Sequence, residues 1–350
     1  MDDQQFANVP GQDGRLIPRT DSSAPATLRM GHLMAFTAFL RNAGAPVDRY
    51  LRHQGLPVLC DDPDYVVPLA RVWSFFDAVS RHEDSTFGWR TGAFAGDHNI
   101  NAGLLRTLNS APTLFQALQC LVRTINSEAS QLQLGIHGRR RDVLFYNRYP
   151  GKRGLPGYEV SQAYQLGIYL DLIRHFLGRD WVPYEIGIEH PSAPAFVYEQ
   201  FPGCRIQVQQ PMGYIAVPRA GLRRAPCHTV PKKRLADDLV LSNKFDYVDT
   251  LRALIKSYLA DGYPSAQFAA MLMGVSERTL ARRLATFGLT YGTLIDQVRF
   301  STAKELLHKQ DLKIQHIAMA VGFDDQSNFT RMFQRVGGLS PQEFRMATLH

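Results

Sequence analysis

Polar and basic side chains recur at helical spacing on two segments near the C-terminus. Leu280 and Leu284 form an apolar i, i+4 pair in the first segment, and Phe329 and Phe333 form one in the second. If each pair faces a core, the opposite face of its helix is polar. Those outer faces carry Arg278, Ala281 and Arg282 in the first segment and Gln326, Ser327, Thr330 and Arg331 in the second. Arginine hydrogen-bonds to guanine, glutamine to adenine, and serine or threonine to either base. The pattern therefore predicts two helices that read the major groove of DNA.

The residues before each of these helices fit a helix-turn-helix unit. Each unit has an Ala, a Gly four residues later, and a capping residue that starts the second helix. These residues are Ala270, Gly274 and Ser276 in the first unit, and Ala318, Gly322 and Asp324 in the second. The small Ala lets two helices cross closely, and the Gly can adopt the left-handed conformation that a tight turn needs. The second turn is one residue longer than the first.

Further helices hold the two units in place. A helix predicted from Tyr291 to Lys309 connects them, and its apolar residues are available for packing. Gly338 and Pro341 mark the end of the second recognition helix and the start of a last short helix. A solvated helix face would explain any one of the arginines. It would not explain two helix-turn-helix frames with polar outer faces, so we interpret this region as a DNA-binding domain.

The N-terminal part has mixed periodicity. The predicted helices begin near Met30, Val47, Pro68 and Pro112, and a longer one runs from Tyr158 to Leu177. The predicted strands are Gln131–His137, a run from Val143, Tyr184–Glu189, Cys204–Val208 and Tyr214–Val217. The first two strands form a hairpin with a loop over 138–142. The sequence therefore predicts an α+β N-terminal domain of helices and an antiparallel sheet, followed by an all-α C-terminal domain with two helix-turn-helix units.

Length and charge set the domain plan. The chain has 350 residues, enough for about two domains, and a formal net charge of +7, which suits a polyanionic partner. Residues 1–24 are polar and aperiodic, so we expect a disordered lead-in. We expect an effector-sensing and dimerisation domain over 25–222, a basic linker over 223–245 and the DNA-binding domain over 246–350. The run Lys232-Lys233-Arg234 in the linker is either solvated or a phosphate contact.

The C-terminal region resembles the DNA-binding domain of the AraC/XylS family of bacterial regulators. The resemblance rests on Ala318-x3-Gly322-Phe323, Phe329-x-Arg331-x-Phe333 and Gly338-x-Ser340-Pro341-x-x-Phe344-Arg345. It implies that two helix-turn-helix units enter successive major-groove segments on one face of DNA. The family's base-reading positions fall on the seven outer-face residues named above. Ala281 departs from the pattern, because its methyl group can contact a thymine methyl but cannot hydrogen-bond a base edge.

The N-terminal domain resembles the arabinose-binding-like effector domain of regulators of ornithine use and quorum-linked virulence. The resemblance rests on Pro112-Thr113-Leu114-x3-Leu118, on Phe176-Leu177-Gly178-Arg179-Asp180-Trp181-x-Pro183 and on Phe201-Pro202-Gly203-Cys204. Members do not share one ligand, so the resemblance implies an unknown small-molecule effector. We expect its pocket between the sheet and the Tyr158–Leu177 helix. The candidate effector-binding residues are Arg123, Asn126, Phe145, Arg148, Tyr164 and His175.

Several classes of protein lack their sequence signals here. The N-terminus has no signal-peptide pattern, and no apolar run approaches the roughly 20 residues that span a bilayer, so we expect a cytoplasmic protein with no membrane partner. We find no nucleotide-binding loop and no hydrolase or metalloprotease motif, and predict no catalytic residues, cofactor or metal. The cysteines are Cys60, Cys120, Cys204 and Cys227, which are too dispersed for a zinc pattern.

Two alternatives remain open at this level. A DNA-alkylation repair enzyme with a helix-turn-helix tail would need zinc-bound nucleophilic cysteines. An effector-independent architectural protein would use its N-terminal domain only to dimerise. The interpretation that we favour is a transcription regulator, an activator acting with RNA polymerase. It would bind double-stranded promoter DNA as a homodimer under the control of the effector.

Overall fold

Two compact units make up the chain. The computed structural model describes residues 24–60, 62–83, 86–95, 108, 110–227, 247–309 and 311–348. Within the described residues, unit 1 comprises Gly31–Tyr50 and residues 72–227, and unit 2 comprises residues 24–30, Leu51–Arg71 and residues 247–348. Two short N-terminal segments, which we had placed within the 25–222 domain, thus group with the C-terminal region. Most of the predicted lead-in and of the basic linker, including Lys232-Lys233-Arg234, lies outside the described residues.

Helices dominate the N-terminal part of the chain. Its first elements are β1 (Thr27–Arg29), α1 (Met30–Asn42), α2 (Val47–His53), β2 (Val66–Pro68), α3 (Leu69–His82) and α4 (Phe87–Ala95). The later helices are α5 (Leu114–Glu128), α6 (Tyr158–Leu177) and α7 (Ala195–Gln200), followed by a 3₁₀ turn at Arg219–Arg223. The predicted bounds of α6 are confirmed, and most of its side chains are buried. None of the described helices is long and apolar enough to cross a lipid bilayer.

A five-stranded sheet lies in unit 1. Strands β3 (Gln133–Gly138), β4 (Asp142–Arg148), β5 (Glu185–Gly187), β6 (Arg205–Gln207) and β7 (Gly213–Pro218) have the spatial order β3-β4-β7-β5-β6. The predicted hairpin is confirmed, with Ile136 opposite Phe145 in the antiparallel β3–β4 pair. The predicted α+β class is confirmed, and the sheet is antiparallel except for the parallel pair of β5 and β6. The chain between them forms α7, and a crossover of this kind returns the next strand in the same direction.

An arginine in the hairpin loop links two strands of this sheet. Arg139 donates two hydrogen bonds of 2.8 Å to the Asp142 carboxylate at the start of β4. It donates a third, also of 2.8 Å, to Glu185 at the start of β5. The hydrogen bonds and the positive charge of Arg139 hold the pKa of Asp142 below its usual value. The loop therefore serves as a structural clamp within unit 1.

Over its described residues, the regular structure of unit 2 is helical apart from the two short strands β1 and β2. Its C-terminal helices are α8 (Tyr247–Tyr258), α9 (Ala266–Leu272), α10 (Glu277–Thr286), α11 (Tyr291–Leu307), α12 (Ile314–Ala320), α13 (Gln326–Gly337) and α14 (Pro341–Ala347), with a 3₁₀ turn at Leu259–Asp261 after α8. The predicted cap of α10 is confirmed, since the Ser276 side chain accepts from the Thr279 N–H. The prediction of Asp324 as the second cap is wrong. Asp325 caps α13, because the extra residue in the turn moves the cap one position along.

Two hydrophobic clusters lie inside unit 2. The first joins α8, α9 and α10 to the beginning of α11, including Leu294 and Val298. The second joins the end of α11, including Ala303 and Leu307, to α12 and α13. The connecting helix thus contributes to both clusters, and it fixes the position of one helix-turn-helix unit relative to the other.

Candidate nucleic-acid interface

Helices α9 and α10 form the first predicted helix-turn-helix unit. Their turn passes through Gly274 at φ +65°, a left-handed conformation that glycine adopts at little steric cost. Leu280 and Leu284 are 1% and 0% exposed, so they anchor α10 in the first hydrophobic cluster as predicted. The opposite face of α10 exposes Arg278, Ala281 and Arg282. The structure therefore places these three predicted DNA contacts together on one solvent-facing surface.

Another arginine of α10 has a structural position. The guanidinium carbon of Arg283 lies 4.8 Å from the centre of the Tyr247 ring. Tyr247 belongs to the first hydrophobic cluster, and a cation over an aromatic face is favourable. Arg283 thereby braces α10 against α8, and we had not singled it out from the sequence.

Helices α12 and α13 form the second helix-turn-helix unit. Phe329 and Phe333 are both 0% exposed and anchor α13 in the second hydrophobic cluster, as predicted. The outer face of α13 exposes Gln326, Ser327 and Arg331, and Thr330 at its edge is half-buried. The Arg331 guanidinium donates a 2.6 Å hydrogen bond to the Asn328 side-chain oxygen, one turn earlier on the same face. Asn328, an exposed amide that we did not predict, is thus a hydrogen-bond partner of Arg331 on this outer face.

A buried arginine on α11 holds the second turn. Arg299 is 5% exposed and donates a 2.6 Å hydrogen bond to the carbonyl oxygen of Gly322. Its guanidinium lies over the rings of Phe323 (4.2 Å) and Tyr263 (4.6 Å). Burial lowers the pKa of this arginine. The sequence signal that could have revealed it is a single arginine amid the packing residues of the connecting helix, beside Val298.

Both outer faces carry positive charge. Arg278 and Arg282 are exposed on α10, and Arg331 and Arg335 are exposed on α13. Arg335 forms a 2.7 Å ion pair with Asp296, which directs it toward α11. Exposed arginines on a helix face are suited to phosphate oxygens and to guanine edges. The arrangement can therefore bind a polyanion at two places held by one connecting helix.

The six candidate effector-binding residues of unit 1 do not share one environment. Arg123 and Asn126 are exposed, Phe145 and Tyr164 are buried, and Arg148 and His175 are half-buried. The Phe145 ring packs 5.1 Å from that of Tyr169. The Tyr164 hydroxyl lies 3.0 Å from the Nδ1 atom of His32. The two aromatic candidates are therefore core residues with partners of their own.

A buried polar cluster that was not predicted from the sequence lies between α6 and the sheet. Glu189 is 5% exposed, and it accepts hydrogen bonds from Tyr158 (2.7 Å) and Gln162 (2.8 Å). Gln165, one helical turn after Gln162, accepts a hydrogen bond from Asn147 on β4. Burial raises the pKa of Glu189. The signal in the sequence is the pair of glutamines at i, i+3 on a long apolar helix.

Burial favours the protonated thiol at two of the four cysteines. Burial raises the pKa of Cys204 to about 11 and also raises that of Cys120. A raised pKa disfavours the thiolate, which is the form that attacks a substrate or binds zinc. No group of three or more metal-ligating side chains forms a metal site within the described residues.

Comparison with known proteins identifies both halves of the chain. The family model "Helix-turn-helix domain" matches residues 269–347. The family model "Arabinose-binding domain of AraC transcription regulator, N-term" matches residues 44–225, more than half of the chain. The chain belongs to the AraC family of transcription regulators. The resemblance inferred from the sequence motifs is thereby confirmed for both halves.

Several curated proteins are similar to this AraC-family chain. The ornithine utilization regulator of Pseudomonas aeruginosa is 29% identical over 164 residues, which span 45% of this chain and 48% of that protein. The transcriptional regulator VirS of Mycobacterium tuberculosis is 26% identical over 332 residues, spanning 91% of this chain and 96% of VirS. The transcriptional activator RhaS of Escherichia fergusonii is 39% identical over 72 residues, spanning 20% of this chain and 26% of RhaS. The match to VirS thus covers both units, whereas the other two cover parts of each protein.

Proposed function

We propose that this AraC-family regulator binds double-stranded promoter DNA through α10 and α13. The observation that carries the proposal is that both helices have a buried apolar face and an exposed basic face on opposite sides. Each helix is anchored by two fully buried apolar residues, and each presents arginine on the face opposite. In helix-turn-helix proteins the second helix enters the major groove and contacts base edges. The two helices would enter successive groove segments, about one helical turn, roughly 34 Å, apart.

The proposed base contacts differ between the two helices. On α10 they are Arg278, Ala281 and Arg282, and on α13 they are Gln326, Ser327, Thr330 and Arg331. The first helix would read mainly through its arginines, with Ala281 against a thymine methyl. The second has a wider choice of donors and acceptors, which supports it as the more discriminating reader.

We also propose that unit 1 binds a small-molecule effector. The match to an arabinose-binding domain model supports this role. The candidate residues remain Arg123, Asn126, Phe145, Arg148, Tyr164 and His175, and the buried Glu189 cluster adds polar groups that could hydrogen-bond a polar ligand. A ligand at one hundred times its dissociation constant adds about 2.7 kcal/mol of stability. Thermal unfolding of the full chain with a panel of small metabolites therefore tests this role.

The finer regulatory scheme is also our proposal. The protein would act in the cytoplasm as a homodimer on repeated half-sites, and would activate transcription through RNA polymerase rather than catalyse a reaction. The name of RhaS, a transcriptional activator that is 39% identical to this chain over 72 residues, supports activation. Transcription in vitro from a bound promoter, with and without the protein, shows directly whether the protein activates or represses.

Capture of fragmented genomic DNA by the purified full-length protein tests the proposed function. We expect the sequenced fragments to share a motif with two contact regions about one helical turn apart. The genes beside these fragments would then suggest the effector. Fragments without a shared sequence, retained at low salt and lost together as salt rises, would instead indicate an architectural protein.

A further inference from the structure

A segment from the N-terminal half of the chain packs within unit 2, against the helix that precedes the first helix-turn-helix unit. This segment, residues 51–60 and 62–71, is called the 51–71 segment below. Its strand β2 pairs with β1 in an antiparallel ladder, with Leu28 opposite Val67. The side chains that receive the segment come from α8 and from the 3₁₀ turn that follows it.

The first contact is a two-way hydrogen bond. The Ser257 hydroxyl on α8 donates to the carbonyl oxygen of Val66 at 2.6 Å and accepts from its N–H at 3.1 Å. Ser257 is 1% exposed, and the Val66 side chain belongs to the first hydrophobic cluster with Leu251 and Leu254 of α8. β2 therefore completes the core on which α9 and α10 also pack.

Two more side chains hold the loop before β2. The Asp261 carboxylate accepts hydrogen bonds from the backbone N–H groups of Val58 (2.9 Å) and Leu59 (3.0 Å). The Tyr258 hydroxyl donates to the carbonyl oxygen of Gly55 at 2.9 Å. Hydrogen bonds to a charged acceptor are among the stronger ones in proteins. Side chains of unit 2 thus hydrogen-bond to the backbone of the segment at three places.

We propose that the 51–71 segment is a built-in part of the DNA-binding unit that sets the affinity of the first helix-turn-helix for DNA. It packs on α8, and α8 shares one hydrophobic cluster with α9, α10 and the beginning of α11. Tyr50 and Val72, the residues at its two ends, belong to unit 1. A change in unit 1 on effector binding can therefore reach α8 through the chain itself. The part of this inference that concerns DNA rests on the proposed function.

Amide hydrogen exchange of the full-length protein without DNA tests the structural part. Asp261→Asn keeps the shape of the side chain but removes its charge, and Tyr258→Phe removes only the hydroxyl. We expect the N–H groups of Val58 and Leu59 to exchange about tenfold faster in Asp261→Asn. We expect α8 to exchange faster in both variants, whereas α13 keeps its rates. Asp249→Asn, a half-exposed carboxylate in the first turn of α8 that pairs with Arg252, is the matched control and should leave the exchange of the Val58 and Leu59 N–H groups unchanged.

The same proteins are then titrated with a duplex chosen by the genomic capture. We expect Asp261→Asn and Tyr258→Phe each to lower the affinity at least about fivefold, whereas Asp249→Asn does not. Unchanged exchange in both variants would overturn the inference, and so would faster exchange with unchanged affinity. If the unaltered protein binds no duplex specifically, the proposed function fails together with the DNA part of the inference. The exchange rates would still decide whether the segment holds α8.

Discussion

The guanidinium of Arg299 contacts two aromatic rings and donates a hydrogen bond to the Gly322 carbonyl, so it stabilises the turn of the second helix-turn-helix unit. That turn is crowded. A Cβ atom on Gly322 would lie 2.9 Å from the carbonyl oxygens of both Leu259 and Gly262. The equivalent Gly274 of the first turn has nothing within 4 Å of such an atom. Both glycines have positive φ, so they share the conformational requirement but differ in space.

The two glycines give a matched pair of variants. Gly274→Ala should lower the free energy of unfolding by about 1–2 kcal/mol, the cost of a left-handed alanine. Gly322→Ala should lower it by about 1–3 kcal/mol more, because backbone oxygens must also move. Denaturant unfolding, monitored by the helical circular dichroism signal, measures the free energy of unfolding of both variants. Equal losses in the two variants would show that the crowding at Gly322 has no energetic weight.

The exposed arginines of α10 and α13 are expected to contribute directly to the affinity for specific DNA. Arg282→Ala and Arg331→Ala should each weaken specific DNA binding by about 1–3 kcal/mol, because each removes a donor to a base edge. Arg81→Ala is the control, since this exposed arginine of α3 pairs with Asp77 in unit 1. Titrations at matched salt measure the affinities. Unchanged affinity in both α10 and α13 variants would remove the proposed docking.

At the scale of elements, the sequence predicts what depends on local spacing. The anchor pairs on α10 and α13 follow from i, i+4 periodicity, and the bounds of α6 follow from a long apolar run. The direction of β6 could not be predicted, because a three-residue strand carries no signal for its partner. The position of the cap depends on the conformation of the longer second turn. Because Asp324 and Asp325 are the same residue type, the sequence could not show that Asp325 is the cap.

Burial of the anchor residues can be tested by introducing charge. Leu280→Asp or Phe333→Asp should destabilise unit 2 by about 4 kcal/mol or more, because each buries an unpaired carboxylate. Met271→Asp and Met319→Asp are the controls, since these methionines are about half exposed on the first helices of the two units. Thermal melting measures all four. Unaltered melting of the Leu280 and Phe333 variants would mean that the helix faces are reversed.

The hairpin clamp predicts an acid-sensitive unit 1. Because Arg139 lowers the pKa of Asp142, this contact stabilises the fold above the usual pKa of aspartate, 3.8, and is lost as the pH falls below it. Asp142→Asn should cost about 1.5–3 kcal/mol at pH 7, because this buried carboxylate accepts two hydrogen bonds from a charged group, and should weaken the acid dependence of melting. Asp48→Asn, which breaks an exposed pair with Arg41, should leave both unchanged. An acid dependence identical to that of the unaltered protein would contradict this role of Arg139.

At the scale of the whole molecule, the helix-turn-helix units could be predicted, but the N-terminal segments that belong to unit 2 could not. Each helix-turn-helix unit is a local arrangement of consecutive residues, so its motif is legible in one sequence. The pairing of Val66 with Ser257 joins residues far apart in the chain, and no spacing rule connects them. The buried polar cluster around Glu189 is likewise assembled from β4, α6 and the chain after β5. Such contacts follow from tertiary packing, which periodicity does not report.

The central claim is that each of two helices reads its own segment of DNA. Hydroxyl-radical footprinting of the full-length protein on a captured duplex tests it most directly, with Arg282→Ala and Arg331→Ala compared beside it. We predict two protected windows on one face of the duplex, about one helical turn apart, and each variant should weaken only the window of its own helix. A single window, or two windows that weaken together in both variants, would show that α10 and α13 do not read separate segments.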